Sequence, residues 1–121
     1  SRKAEKVFFV EKEKDAITML KKNIKKLRLE NKAIIFNNDV FKIINKNIFF
    51  SIKFDLIFCD PPFKNSNMNE LFDLLLDNKI LKNDGIIIMH RNKSFKEKFP
   101  DYFKVIDEKI YGVSKIIFGK F

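Results

Sequence analysis

Apolar residues along this chain come in two patterns, short continuous runs and positions spaced three or four apart. Val7-Phe8-Phe9-Val10 is a run of β-branched and aromatic residues between Lys6 and Glu11, which predicts a strand buried on both faces. Over residues 13–29, Ile17, Leu20, Ile24 and Leu27 recur at helical spacing, while Lys21, Lys22, Lys25, Lys26 and Arg28 take the other faces. This is an amphipathic helix with a solvated basic side. Ala33 to Phe36 predicts a second strand, followed by Asn37-Asn38-Asp39 and a short helix from Val40 to Ile44. Phe54 to Cys59 predicts a third, and Asp60-Pro61-Pro62-Phe63 stops it because proline has no N–H for a ladder. Asn67 and Glu70 have capping-box spacing ahead of Leu71, Leu74, Leu75 and Leu81 on a helix's apolar side. Asn83-Asp84-Gly85 predicts a turn into a fourth strand, Ile86 to Met89. Phe103–Ile106 and Val113–Phe118, around Tyr111-Gly112, predict a closing hairpin.

Strands alternating with helices predict an α/β fold with a right-handed, mostly parallel sheet covered on both faces and an antiparallel C-terminal hairpin at its edge. At 121 residues, 45% of them hydrophobic, the chain has material for one compact core. It contains no apolar run approaching the roughly 18 residues that cross a bilayer, and Ser1-Arg2-Lys3-Ala4-Glu5-Lys6 lacks the apolar stretch of a secretory signal. A cytoplasmic protein with no membrane partner is therefore expected. A single cysteine excludes an internal disulfide framework and a cysteine-based metal cluster.

The charge adds a candidate partner. Twenty-five basic against sixteen acidic residues leave +9 at neutral pH, a surplus that favours a polyanion such as nucleic acid through counterion release. Twenty-two of the cations are Lys and three are Arg. Lysine contacts phosphate as a point charge but lacks the planar fork that reads bases, so the surplus speaks for binding more than for specificity.

In open parallel sheets, ligands bind outside the carboxyl ends of the strands. Glu11 ends the first strand, Asp39 follows the second, Asp60 ends the third and His90 follows the fourth. Taken singly, Glu11 and Asp39 also suit plain helix capping, and a lone histidine suits a structural or solvent-facing place. Asp60-Pro61-Pro62-Phe63 is more specific. Two prolines after a buried strand hold the preceding carboxylate and the following ring nearly rigid. A carboxylate oxygen and a proline carbonyl can accept both hydrogens of a flat exocyclic amine while an aromatic ring stacks on the attached base. One His and one Cys supply neither a zinc site nor the nucleophile-and-base constellation of a hydrolase. Cys59, inside an apolar strand, is expected to be a small core residue.

Phe54-Asp55-Leu56-Ile57-Phe58-Cys59-Asp60-Pro61-Pro62-Phe63 resembles the fourth motif, with its strand, of amino-group methyltransferases that use S-adenosylmethionine. More narrowly, the chain is similar to the bacterial small-subunit ribosomal RNA (guanine-N2) methyltransferases through Ser1-Arg2-Lys3-Ala4, Val7 to Glu11 with Ala16, Leu20 and Asn23, the Asp60 motif, and Tyr111-Gly112-Val113-Ser114. The central motif is shared with adenine-N6 DNA methyltransferases and protein glutamine methyltransferases. The resemblance implies a Rossmann-like class I methyltransferase sheet, with ribosomal RNA or the small ribosomal subunit as partner and no metal. It implies that Glu11 accepts the cofactor ribose hydroxyls, that Asp39 lies on the adenine side, that Asp60 and Pro61 hold the target amine within the rigid Pro61-Pro62 turn, and that Phe63 stacks on a flipped base. At the position of His90, relatives often carry an acid.

The family begins with a strand and a glycine-rich loop, whereas the three glycines here are Gly85, Gly112 and Gly119. Residues 1–121 are therefore expected to be the C-terminal portion of a single methyltransferase domain, with its first strand and loop missing. Methylation of an adenine amine in DNA and a non-catalytic nucleic-acid-binding remnant are the alternatives. The first prediction is that the 121-residue chain binds S-adenosylmethionine poorly; titration calorimetry giving a micromolar Kd would overturn it.

Overall fold

A computed structural model describes residues 4–46, 48–49, 51–61, 67–95 and 98–121. The elements are β1 (Val7–Glu11), α1 (Lys14–Lys26), β2 (Ala33–Asn37), α2 (Val40–Asn45), β3 (Phe54–Cys59), α3 (Met68–Asp77), β4 (Leu81–Asn92), β5 (Lys104–Tyr111) and β6 (Ser114–Lys120). They fall into two compact units, residues 1–46 and 47–121.

In the first unit β1 and β2 pair in parallel, from Val7 opposite Ala33 to Glu11 opposite Asn37. Phe8 and Phe36 stack with ring centroids 6.2 Å apart. Ile17 and Ile24 of α1 and Ile43 and Ile44 of α2 are buried, as the helical spacing requires. Helix α1 stops before residue 29 because Arg28 turns left-handed, at φ 55°. Its N–H then bonds the Lys25 carbonyl and the Leu29 N–H bonds the Ile24 carbonyl, which satisfies the helix's last acceptors in a Schellman motif. The same motif closes α3 around Lys79, at φ 49°, with Lys79 bonding to Leu76 and Ile80 to Leu75. A chain with three glycines thus ends both helices on cationic residues, at a cost of roughly 1–2 kcal/mol each.

The second unit is a four-stranded sheet in the order β3-β4-β6-β5. Strand β4 runs parallel to β3 and antiparallel to β6, and β5 is antiparallel to β6. The hairpin is present, and its second strand lies inside the sheet with β5 at the edge. Gly112, at φ 59°, supplies the tight turn between Tyr111 and Ser114, which pair across it. Ile87, Met89 and Ile117 are fully buried on one face of the sheet, and Met68, Leu71, Phe72 and Leu75 of α3 are buried. Phe72 stacks on Phe103 at 4.4 Å, and Phe99 and Phe121 complete the cluster.

Three local expectations are corrected. Asn83-Asp84-Gly85 is no turn: β4 starts at Leu81 and passes through it, with its register against β3 shifting between Phe54 and Leu56. Leu81 accordingly belongs to β4 and not to the face of α3. At the start of α3 the Asn67 side chain makes no cap hydrogen bond to the backbone; its amide donates to the Glu70 carboxylate at 3.2 Å.

Gly119 is required by close approach, since a Cβ there would fall on the Phe103 ring. That ring is held by its stack on Phe72, so Gly119→Ala is expected to destabilise the unit by about 1–3 kcal/mol, read as a lower urea midpoint at unchanged m-value.

Candidate active site

The proline corner lies in the second unit. Ladder pairing of Cys59 with Met89 sets the next residues, Asp60 and His90, level with each other at the carboxyl ends of β3 and β4. Cys59 points into the core, at 8% exposure, so by strand alternation Asp60 points the other way. Its side chain is 56% exposed. Pro61 follows half-buried, while Pro62 and Phe63 lie outside the described residues.

Asp60 Oδ1 is 2.9 Å from His90 Nδ1, and His90 Nε2 is 2.9 Å from Ser114 Oγ. An ionised carboxylate only accepts hydrogen bonds, so Nδ1 carries the proton and donates to Asp60. In the neutral ring Nε2 then accepts from the Ser114 hydroxyl. The imidazole is one-quarter exposed. No local pattern marks this row of hydrogen bonds, because Asp60, His90 and Ser114 are brought together by the β3-β4-β6 order and register. The connectivity is also that of a serine triad, so a single histidine suffices for an arrangement that counting His and Cys had seemed to exclude.

Glu11 and Asp39 belong to the first unit, at the carboxyl ends of its two parallel strands. Glu11 Oε1 accepts from the backbone N–H of Lys12 at 2.7 Å and of Glu13 at 2.8 Å, which shapes the turn from β1 into α1. Asp39 Oδ1 accepts from the Phe41 N–H at 3.0 Å as the N-cap of α2, and Oδ2 is 3.6 Å from Lys12 Nζ. Each carboxylate thus spends one oxygen on local structure and has a second oxygen of the kind a ribose hydroxyl or an amine can donate to. As hydrogen-bond acceptors, these oxygens suit the hydroxyl and amine donors of a nucleoside.

Other polar groups do different work. Lys82 Nζ, 2.6 Å from Asp55, holds that exposed carboxyl below its usual range. Burial, aided by Asp73, pushes the Tyr102 hydroxyl up to about 12. A groove of about 480 Å³ lined by Lys53, Lys79, Lys82 and Phe121 lies where β3 and β4 begin, at the end of the strands opposite the corner. Among the described residues no group of His, Cys, Asp and Glu is placed to hold a metal ion, and no helix is long and apolar enough to cross a membrane.

Parallel strand-helix-strand units closed by an antiparallel hairpin, with acids at the strand ends, define the fold of the class I methyltransferases. A putative methyltransferase solved with SAH bound, SMU.776, superposes with a TM-score of 0.73 at 17% identity, over 98% of this chain and 40% of that one. The chain belongs to the family described as conserved hypothetical protein 95, whose profile matches residues 1–120. It is 30% identical over 93 residues to a putative rRNA methyltransferase, YlbH, of Bacillus subtilis, covering 77% of this chain and 50% of that one. It is 28% identical over 120 residues to ribosomal RNA small subunit methyltransferase D of Haemophilus influenzae, covering 93% and 58%. The chain spans about half the length of these curated relatives.

Cys59 is the buried core residue the sequence suggested, and desolvation pushes its thiol from 9.0 up to about 12. The fold favours the protonated form, so its contribution is complete below pH 9.0 and is lost as pH rises toward about 12. Ellman's reagent at pH 8 is expected to titrate the one thiol only after denaturation, and stability should fall across that alkaline window. Rapid native labelling would contradict both.

Proposed function

We propose that this chain carries the amine-binding corner and the nucleoside-binding acids of an S-adenosylmethionine-dependent ribosomal RNA methyltransferase, acting in the cytoplasm on the N2 amine of a guanine in small-subunit RNA. The observation that carries the reading is Asp60: an exposed carboxylate at a strand's carboxyl end, locked behind by proline and at its side by His90. The family membership, the methyltransferase fold and the names of the relatives support the reaction class. The narrower resemblance to guanine-N2 enzymes supports the target.

When bound, S-adenosylmethionine supplies an electrophilic methyl group on a sulfonium sulfur, which leaves as a neutral thioether. Glu11 is the acceptor for its ribose hydroxyls, and Asp39 lies beside its adenine. At the target, Asp60 and the Pro61 carbonyl each accept one N–H of the amine, which fixes the direction of the nitrogen lone pair. Phe63 stacks on the extruded base, whose unstacking costs a few kcal/mol. Methylation leaves the nitrogen with one proton too many. The N–H bonding pair stays on nitrogen and Asp60 takes the proton on the oxygen facing the amine. Positioning supplies most of the acceleration, and the +9 charge of the chain holds the RNA as a polyanion.

With the expected first strand and glycine-rich loop supplied so that cofactor binds, Asp60→Ala is expected to lower tritium transfer from labelled S-adenosylmethionine by about 100-fold with unchanged circular dichroism. Naked ribosomal RNA, small subunits and duplex DNA should be compared as substrates. Preferential labelling of duplex DNA would favour the adenine reading. Salt-sensitive RNA binding that neither Asp60→Ala nor cofactor alters, without transfer, would favour a non-catalytic binder.

A further inference from the structure

We infer that His90 is a positioning residue for the methyl-accepting site: its Nδ1–H clamps one oxygen of Asp60, leaving the other for the amine, and Ser114 fixes the ring from behind. This rests on the proposed role of Asp60 and adds to it a residue from β4 and one from the hairpin.

Asp60 is the first residue beyond β3 and its side chain is 56% exposed, so without a partner the carboxylate rotates about Cα–Cβ and Cβ–Cγ. Proline at position 61 restricts the backbone of Asp60 but not those torsions. The His90 contact at 2.9 Å restricts them, and the Ser114 contact at 2.9 Å on the opposite nitrogen fixes the imidazole in its plane. Ser114 opens β6 and pairs with Asn92 of β4 and Tyr111 of β5, so the ring is anchored to the turn end of the hairpin. A carboxylate held by one oxygen presents the second in a single direction, as an amine that must offer its lone pair along one line requires.

The charged groups around the ring leave this arrangement intact. On the face of His90, its ladder neighbour Ile116 is followed on β5 by Lys109, which lies 3.6 Å from Asp107. Arg91 and Lys115 alternate onto the opposite face, where Arg91 is buried with its guanidinium 4.8 Å over the Phe95 ring and Lys115 lies 3.7 Å from Glu108. Among the described residues, Asp60 brings a carboxylate and Ser114 a hydroxyl to the two ring nitrogens.

The chain contains one histidine, so nitrogen-15 NMR of the purified protein reports a single imidazole. An unconstrained neutral imidazole in water favours Nε2–H, whereas the clamp requires Nδ1–H. The expected result is the Nδ1–H tautomer in the wild type, reverting toward Nε2–H in Asp60→Ala and, less completely, in Ser114→Ala. An Nε2–H tautomer in the wild type would overturn the inference whatever the activity. In the transfer assay, His90→Ala is expected to lower kcat about 30-fold, within the range for misplaced groups, at unchanged KM for S-adenosylmethionine. His90→Asn, whose amide places an N–H where Nδ1 stood, should recover most of the loss. Full activity in His90→Ala alongside inactive Asp60→Ala would sink the clamp but not the amine site, while full activity in Asp60→Ala would sink the amine site itself. Hydrolysis of p-nitrophenyl acetate that disappears in Ser114→Ala would show the three residues acting as a nucleophilic triad and would also overturn the clamp.

Discussion

The hydrogen-bonded register between β3 and β4 decides what chemistry this chain can present. With Cys59 opposite Met89, Asp60 stands level with His90 on the face away from the core. Side chains alternate with a period of two, so a slip of one residue would set Asp60 beside Met89 or Arg91, both of which point into the buried face. The antiparallel register between β4 and β6, with Asn92 opposite Ser114, brings the serine within reach of the far side of the ring. Three residues separated by 24 to 30 positions in the chain thus form one hydrogen-bonded row because two ladders agree.

The register is held from beneath the sheet. Ile87 and Met89 of β4 and Ile117 of β6 are fully buried, and a slip of one residue would turn all three to the other face and carry His90 inward. Phe72 of α3, stacked on Phe103, lies in the same core. The missing side chain at Gly119 lets that ring approach β6. A bulky residue there would push on the strand that carries Ser114, so core packing and site geometry are linked through β6. The bulge between Phe54 and Leu56 acts at the other end: it absorbs the offset of β4's polar start and leaves the strands aligned from Leu56 to Cys59, where alignment matters to Asp60.

The strands and helices were legible in the sequence wherever a local pattern was enough. Four-residue apolar runs marked β1 and the middle of β4, helical spacing marked Ile17 and Ile24 as buried, and prolines marked the end of β3 and the exposed acid there. Asn83-Asp84-Gly85 misled because polar residues with a glycine usually turn. Here they run along a strand with exposed side chains up to Gly85, which is buried. Asn67 misled because its amide meets the Glu70 side chain in place of a backbone N–H. The contact of His90 with Asp60 was beyond local reading, since periodicity assigns a residue to a face and leaves its partner on the next strand to the register.

The identity of residue 90 also changes the electrostatics of the corner. The resemblance implies that relatives often carry an acid here. A carboxylate 2.9 Å from Asp60 would repel it unless the two shared a proton, and relief would come from rotating one of them away. An imidazole at the same distance donates where the acid would repel. It needs no counter-charge to do so, because the neutral ring has an N–H on one side and a lone pair on the other. The donor faces Asp60 and the lone pair faces a hydroxyl that can turn to meet it. The imidazole therefore leaves Asp60 acceptor capacity while removing its freedom to rotate, which is what the proposed amine-holding role asks of it.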